Sequence, residues 1–195
     1  MLTAMLAAEA HPCVIGSIAT ALGQLHTPLA FDQLYALRGH PDASVRLMVA
    51  VWLPWSFTDP PEPHGVDALL ALMEDEDSDV RDWATMALGI RPEIDSPEVR
   101  AALVARVRDT DEETRSEALA GPARRQDACV LEPLIAKLSS GRVGWNDLEA
   151  AEELADPQLV PALEGLREWW PGDSEYEQEL LEQTIARCRA GSPPA

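Results

Sequence analysis

The residues best placed to do chemistry crowd into one stretch, Glu74 to Asp82, EDEDSDVRD. Asp75, Asp77 and Asp79 alternate as the first ligands of a calcium loop do. The rest of that loop is missing: its sixth position, where a sharp turn needs glycine, holds Val80, and its twelfth, where a bidentate glutamate belongs, holds Met86. His11, His26, His40 and His64 stand apart beside expected turns, with no H-x-x-x-H or H-E pairing. Cys13, Cys129 and Cys188 form no C-x-x-C pair, and their odd number and wide spacing fit a reducing compartment. No glycine-rich phosphate loop or nucleophile elbow occurs. The residues therefore predict no catalytic, metal-binding or cofactor-binding site, and no cofactor. The acidic run reads instead as a turn whose carboxylates cap a helix, with Asp77 at the cap and Asp79 in the first turn.

The elements around that turn explain why it is there. Val66, Leu69, Leu70 and Met73 recur at helical spacing before it, and Val80, Trp83, Ala84, Ala87 and Leu88 after it, with Gly89 closing the second helix. Each helix has one apolar stripe and is too short to be stable alone. Relatives of this unit lie on both sides. Residues 28–55 carry Asp42, Val45, Arg46, Val49 and Leu53 in the places of Asp77, Val80, Arg81, Ala84 and Leu88, and residues 97–121 carry Asp111, Thr114, Arg115 and Ala118. Arg46, Arg81 and Arg115 are 35 and then 34 residues apart, the strongest periodicity in the chain.

The chain is expected to be one array over 1–195. Its units are a truncated one at 2–25, then 28–55, 66–90, 97–121, 127–155 and 157–190. A Pro-rich connection spans 56–65 and a frayed tail 191–195. In the unit 127–155 Leu154 takes the Leu88 role, but the Asp and Arg pair is absent. Pro54 should end its helix, and Pro122 should stop the second helix of its unit at Gly121. Asp173 or Ser174 is the expected cap of the last helix. Trp52 and Trp83 fall on apolar stripes and are expected in the core. Trp55, Trp145, Trp169 and Trp170 fall at helix ends or turns, where an amphipathic ring marks an interface or covers the core.

The chain carries 34 Asp and Glu against 15 Lys and Arg, a net charge of −19, yet 46% of it is hydrophobic, so it should fold. Naked nucleic acid is excluded as a partner by that charge, because phosphate binding needs compensating cations. A basic protein would be steered inward. With no run of eighteen apolar residues and no basic, apolar leader, the expectation is no membrane and a cytoplasmic monomer.

These units resemble HEAT repeats, specifically the short phycobilisome-lyase-type class with the pattern D-x-x-V-R-x-x-A-x-x-x-L-G. Asp77, Val80, Arg81, Ala84, Leu88 and Gly89 carry the likeness, with Asp42, Val45, Arg46 and Leu53, and Asp111, Arg115 and Ala118. The resemblance implies an all-α fold, a right-handed α-solenoid of about six antiparallel helix pairs. It implies that Asp42, Asp77, Asp111 and Arg46, Arg81, Arg115 form a structural ladder tying neighbouring units. It also implies that the second helices line a concave surface, where Asp82, Thr85 and Met86 are the expected contacts with a partner, joined by Trp55 and Trp145. The function expected is a non-enzymatic module that binds a protein partner on that surface. A first alternative is an acidic inhibitor or immunity protein that mimics nucleic acid against a basic partner such as a nuclease toxin, since residues 147–182 carry twelve acids against Arg167 alone. A second, drawn from fold analogy alone, is a chromophore lyase or DNA glycosylase.

Overall fold

A computed structural model describes residues 5–6, 9–25, 28–170 and 175–191. Among them the secondary structure is helical throughout: eleven α-helices and three short 3-10 turns. Their contacts group into two compact units, Met1–Leu88 and Gly89–Ala195.

In the first unit, α1 (Pro12–Gly23), α2 (Pro28–Ala36), α3 (Ala43–Trp52), α4 (Pro63–Leu72) and α5 (Ser78–Gly89, to Leu88) follow one another. Apolar residues at helical spacing set the buried faces: α1 packs on α3, with Ile15, Ile18, Ala19 and Leu22 of the one and Val45, Val49 and Ala50 of the other buried. Gly23 lets the helices close up, since a Cβ there would lie 2.5 Å from Trp52. Phe31, Tyr35, Phe57 and His64 form an aromatic cluster, with His64 edge-on to Phe31 at 5.1 Å and to Tyr35 at 4.9 Å. His64 thus stands in the first turn of α4 rather than in a loop, because Pro63 starts that helix one residue earlier. After α3, Pro54 lies in a 3-10 turn, Leu53–Ser56.

The second unit holds α6 (Pro97–Arg106), α7 (Glu112–Arg124), α8 (Leu131–Leu138), α9 (Trp145–Leu154), α10 (Val160–Leu166) and α11 (Glu175–Ala190). The largest interface is that of α7 with α9, and Leu119, Leu134, Leu138, Leu148, Leu163 and Ile185 sit in one apolar core. Burying each such side chain is worth about 1.5–3 kcal/mol, which is what stabilises helices of this length.

The expected stop at Gly121 does not occur: α7 runs on through Pro122 to Arg124. Two features offset the proline. Gly121 has no Cβ to collide with the proline ring, the clash that normally bars helix before proline. Ala118 through Ala123 are also all buried. Their burial outweighs an interior-proline cost of about 3 kcal/mol. The proposed caps Asp173 and Ser174 lie outside the described residues, as does His26.

Candidate protein-binding surface

Three turns share one hydrogen-bond scheme. Asp42 accepts from Ser44 N at 2.9 Å, Asp77 from Asp79 N at 3.1 Å and Val80 N at 3.3 Å, and Asp111 from Thr114 N at 2.9 Å. In each following helix the arginine folds back on its own turn. Arg46 Nη1 donates to the carbonyls of His40 and Pro41, Arg81 Nη1 to those of Asp75 and Glu76, and Arg115 Nη1 to those of Asp109 and Thr110. The N–H of each capping aspartate donates two residues back, to His40 Nδ1, Asp75 Oδ1 and Asp109 Oδ1.

Within Met1–Leu88, Arg46 reaches the next turn through a residue the expected ladder did not include: it grips Asp75, Nε to Oδ2 at 2.6 Å and Nη2 to Oδ1 at 2.7 Å. The carboxylate of Asp77 accepts from backbone N–H groups at its own helix start and acts on Arg46 through its charge. Burial, the largest single influence, would raise the pKa of Asp75, but the bonds from Arg46 and from the Asp77 N–H, with the charges of Arg46 and Arg81, together outweigh it and hold the carboxyl below its ordinary range.

In the second unit, sequence reasoning missed two buried polar groups, Arg125 and Asp147, and a half-buried one, Glu117. Arg125, 7% exposed, donates to the carbonyls of Gly121, Arg91 and Ile94 at 2.9, 2.8 and 3.0 Å and so ties residues 91–94 to the end of α7. Asp147, 1% exposed, accepts from Gly144 N at 2.8 Å at the start of α9 and lies 3.7 Å from Lys137. Glu117 is held by Asn146, with Arg124 nearby. Burial raises the pKa of both carboxyls, more than their partners lower it. The missing Arg in the unit 127–155 was the signal for Asp147: counted from Leu154, Asp147 stands where Arg81 stands relative to Leu88.

The five residues expected to meet a partner are not equally available. Trp55 and Trp145 are exposed, at 50% and 43%. Asp82 and Met86 are half-buried. Thr85 is wholly buried, its hydroxyl donating 2.7 Å to the Arg81 carbonyl, so it is withdrawn as a contact: a helical threonine can satisfy its hydroxyl inside its own helix and face the core. Trp83 corrects the opposite way. Expected in the core, it is 39% exposed, because the buried stripe of α5 is narrow and runs through Val80, Ala84, Ala87 and Leu88. Of the other tryptophans, Trp52 is half-buried, Trp169 is exposed, and the indole of Trp170 donates to the Val143 carbonyl at 3.2 Å. No group of three or more His, Cys, Asp or Glu placed to hold a metal ion occurs among the described residues. No described helix is long and apolar enough to cross a membrane.

Known proteins place this geometry. The protein YibA of Escherichia coli strain K12 is 36% identical over 99 residues, which is 51% of this chain and 35% of YibA. The chain therefore aligns with about a third of the length of that curated relative. The crystal structure of YibA superposes with a TM-score of 0.61 at 21% identity, over 96% of this chain and 80% of that one. A designed armadillo repeat protein in complex with peptide (KR)4 superposes with a TM-score of 0.61 at 16% identity, over 96% of this chain and 98% of that one. A family model of HEAT repeats matches residues 34–121 and 66–155. With the cap and arginine scheme recurring at Asp42, Asp77 and Asp111 inside that span, the chain belongs to the HEAT-repeat family.

Proposed function

We propose that this protein is a non-enzymatic scaffold that binds a protein partner, and that the partner is basic. Helical-repeat folds of this kind are generally frames for interaction, and function has to be sought in the side chains they present. The observation that carries the reading is the pairing of exposed indoles with uncompensated charge. Trp55, Trp83 and Trp145 stand open to solvent on a chain of net charge −19. Aromatic rings supply contact area at small entropic cost, and the charge speeds encounter with a cationic surface. A designed armadillo repeat protein of similar fold holds a (KR)4 peptide, which supports a repeat frame of this size receiving a basic chain. The residues we assign to the contact are Trp55, Asp82 and Met86 in the first unit and Trp145 in the second.

The sharper form is an acidic inhibitor that occupies the nucleic-acid site of a basic protein. It is favoured by residues 147–182, with twelve acids against Arg167. The test is co-purification from the native cell at low and at high salt, followed by titration of each captured protein in pure form. Basic proteins released by salt support the reading. Neutral proteins bound regardless of salt overturn the basic-partner form, and a turnover activity lost on mutating a surface Asp or Trp overturns the non-enzymatic one.

A further inference from the structure

We propose that the solvent-facing side of α5 receives an arginine side chain of a basic partner segment, with the Trp83 indole as its platform and the Asp79 carboxylate as its counter-charge. The inference deepens the protein-binding reading and rests on it.

Trp83 is a large apolar group left in water at 39% exposure, in a helix that buries Val80, Ala84, Ala87 and Leu88. Its same-face neighbours in a helix are the residues four before and three after, Asp79 and Met86. Asp79 is exposed and makes no ion pair among the described residues, while Met86 is half-buried. Asp79 already favours the start of α5 through the helix dipole, and that role leaves its carboxylate in solvent.

The sister positions show that this opening is particular to α5. Counted from the capping aspartates, Met48 and Glu117 stand where Trp83 stands. The Met48 sulfur accepts from the Thr20 hydroxyl at 3.3 Å, and Glu117 is bonded to Asn146. Over Trp83 no ring and no cation is stacked among the described residues.

Charge chooses the occupant. Residues 1–88 carry twelve Asp and Glu against Arg38, Arg46 and Arg81, and all three arginines already bond within the chain. A guanidinium can lie flat on an indole while its edge N–H groups reach a carboxylate; a lysine ammonium, compact and strongly hydrated, gains less from the same pair.

The test uses the full chain and two fluorescein-labelled probes of equal charge, octa-arginine and octa-lysine, followed by anisotropy at low salt. Octa-arginine should bind tighter. Trp83→Leu should weaken it about fivefold and remove the arginine preference, and Asp79→Asn should weaken it about threefold. Asp32→Asn, an equal charge loss at an exposed position of α2, should change it less than either. If octa-arginine binds and the α5 variants weaken it no more than Asp32→Asn does, the α5 site is overturned and the basic-partner reading stands. If neither probe binds, both fall.

Discussion

The two units of this chain handle the same acidity in opposite ways. Residues 1–88 set twelve acids against three arginines, of which the buried Arg46 pairs with Asp75. Residues 89–195 set twenty-two acids against twelve Arg and Lys, and many are paired: Arg100 with Asp95, Arg106 with Asp109, Arg124 with Glu149, Lys137 and Arg142 with Glu112, and Arg167 with Glu182. The second unit spends its cations on itself, along the α7–α9 seam and between α10 and α11. The first has only three cations to spend, and its Glu74 and Asp79 lie open to solvent. Paired charge stabilises a repeat stack; open charge, beside an exposed indole, suits a partner.

Arg46→Ala should break the comparison most. It leaves Asp75 buried and unpaired, and a buried pair that loses one member costs about 3–5 kcal/mol. Urea unfolding followed by hydrogen exchange should show residues 28–88 losing protection first. Arg125→Ala is the counterpart in the second unit. With the carbonyls of Gly121, Arg91 and Ile94 losing their donor, the cost should be about 2–3 kcal/mol, confined in exchange to residues 89–125. Equal losses in both units from either variant would show that the division has no energetic meaning.

Asp147→Asn should act the other way. Burial holds the folded-state pKa of Asp147 above its unfolded value, so its ionised form opposes folding above the folded pKa, and the penalty lifts as pH falls through it. An asparagine still accepts from Gly144 N. The variant should be more stable than the parent by about 1 kcal/mol at pH 8, with the advantage shrinking as the solution is acidified. Thermal melts of both proteins across that range decide it; a constant difference would assign the effect to packing. Salt should give the smallest change. At about 0.5 M, where the Debye length falls to a few ångströms, exchange should slow slightly in the first unit as self-repulsion is screened, and quicken slightly at the exposed pairs of the second.

Much of the fold was legible because it is local. Asp42 and Asp111 precede apolar stripes and do cap α3 and α7, since a cap depends on a few residues of adjacent backbone. The 34- to 35-residue spacing of Arg46, Arg81 and Arg115 returned as one bonding scheme, because each arginine reaches carbonyls of its own turn. By spacing alone Asp75 resembles the first ligand of a calcium loop, whereas its pairing with Arg46 depends on how two turns stack, which spacing does not state. Trp83 and Thr85 were assigned to opposite faces from those they occupy, for a related reason: periodicity finds the centre of a stripe but not its width.

The sequence by itself determined the repeat, the helix caps, the net charge and the family, all of which follow from short-range pattern and composition. Only the tertiary structure decided which carboxylate Arg46 holds, that Pro122 stays inside a helix, that Asp147 and Glu117 are desolvated, and that Trp83 faces water. Each of those depends on what neighbouring helices cover, and coverage is a property of packing that no single helix encodes.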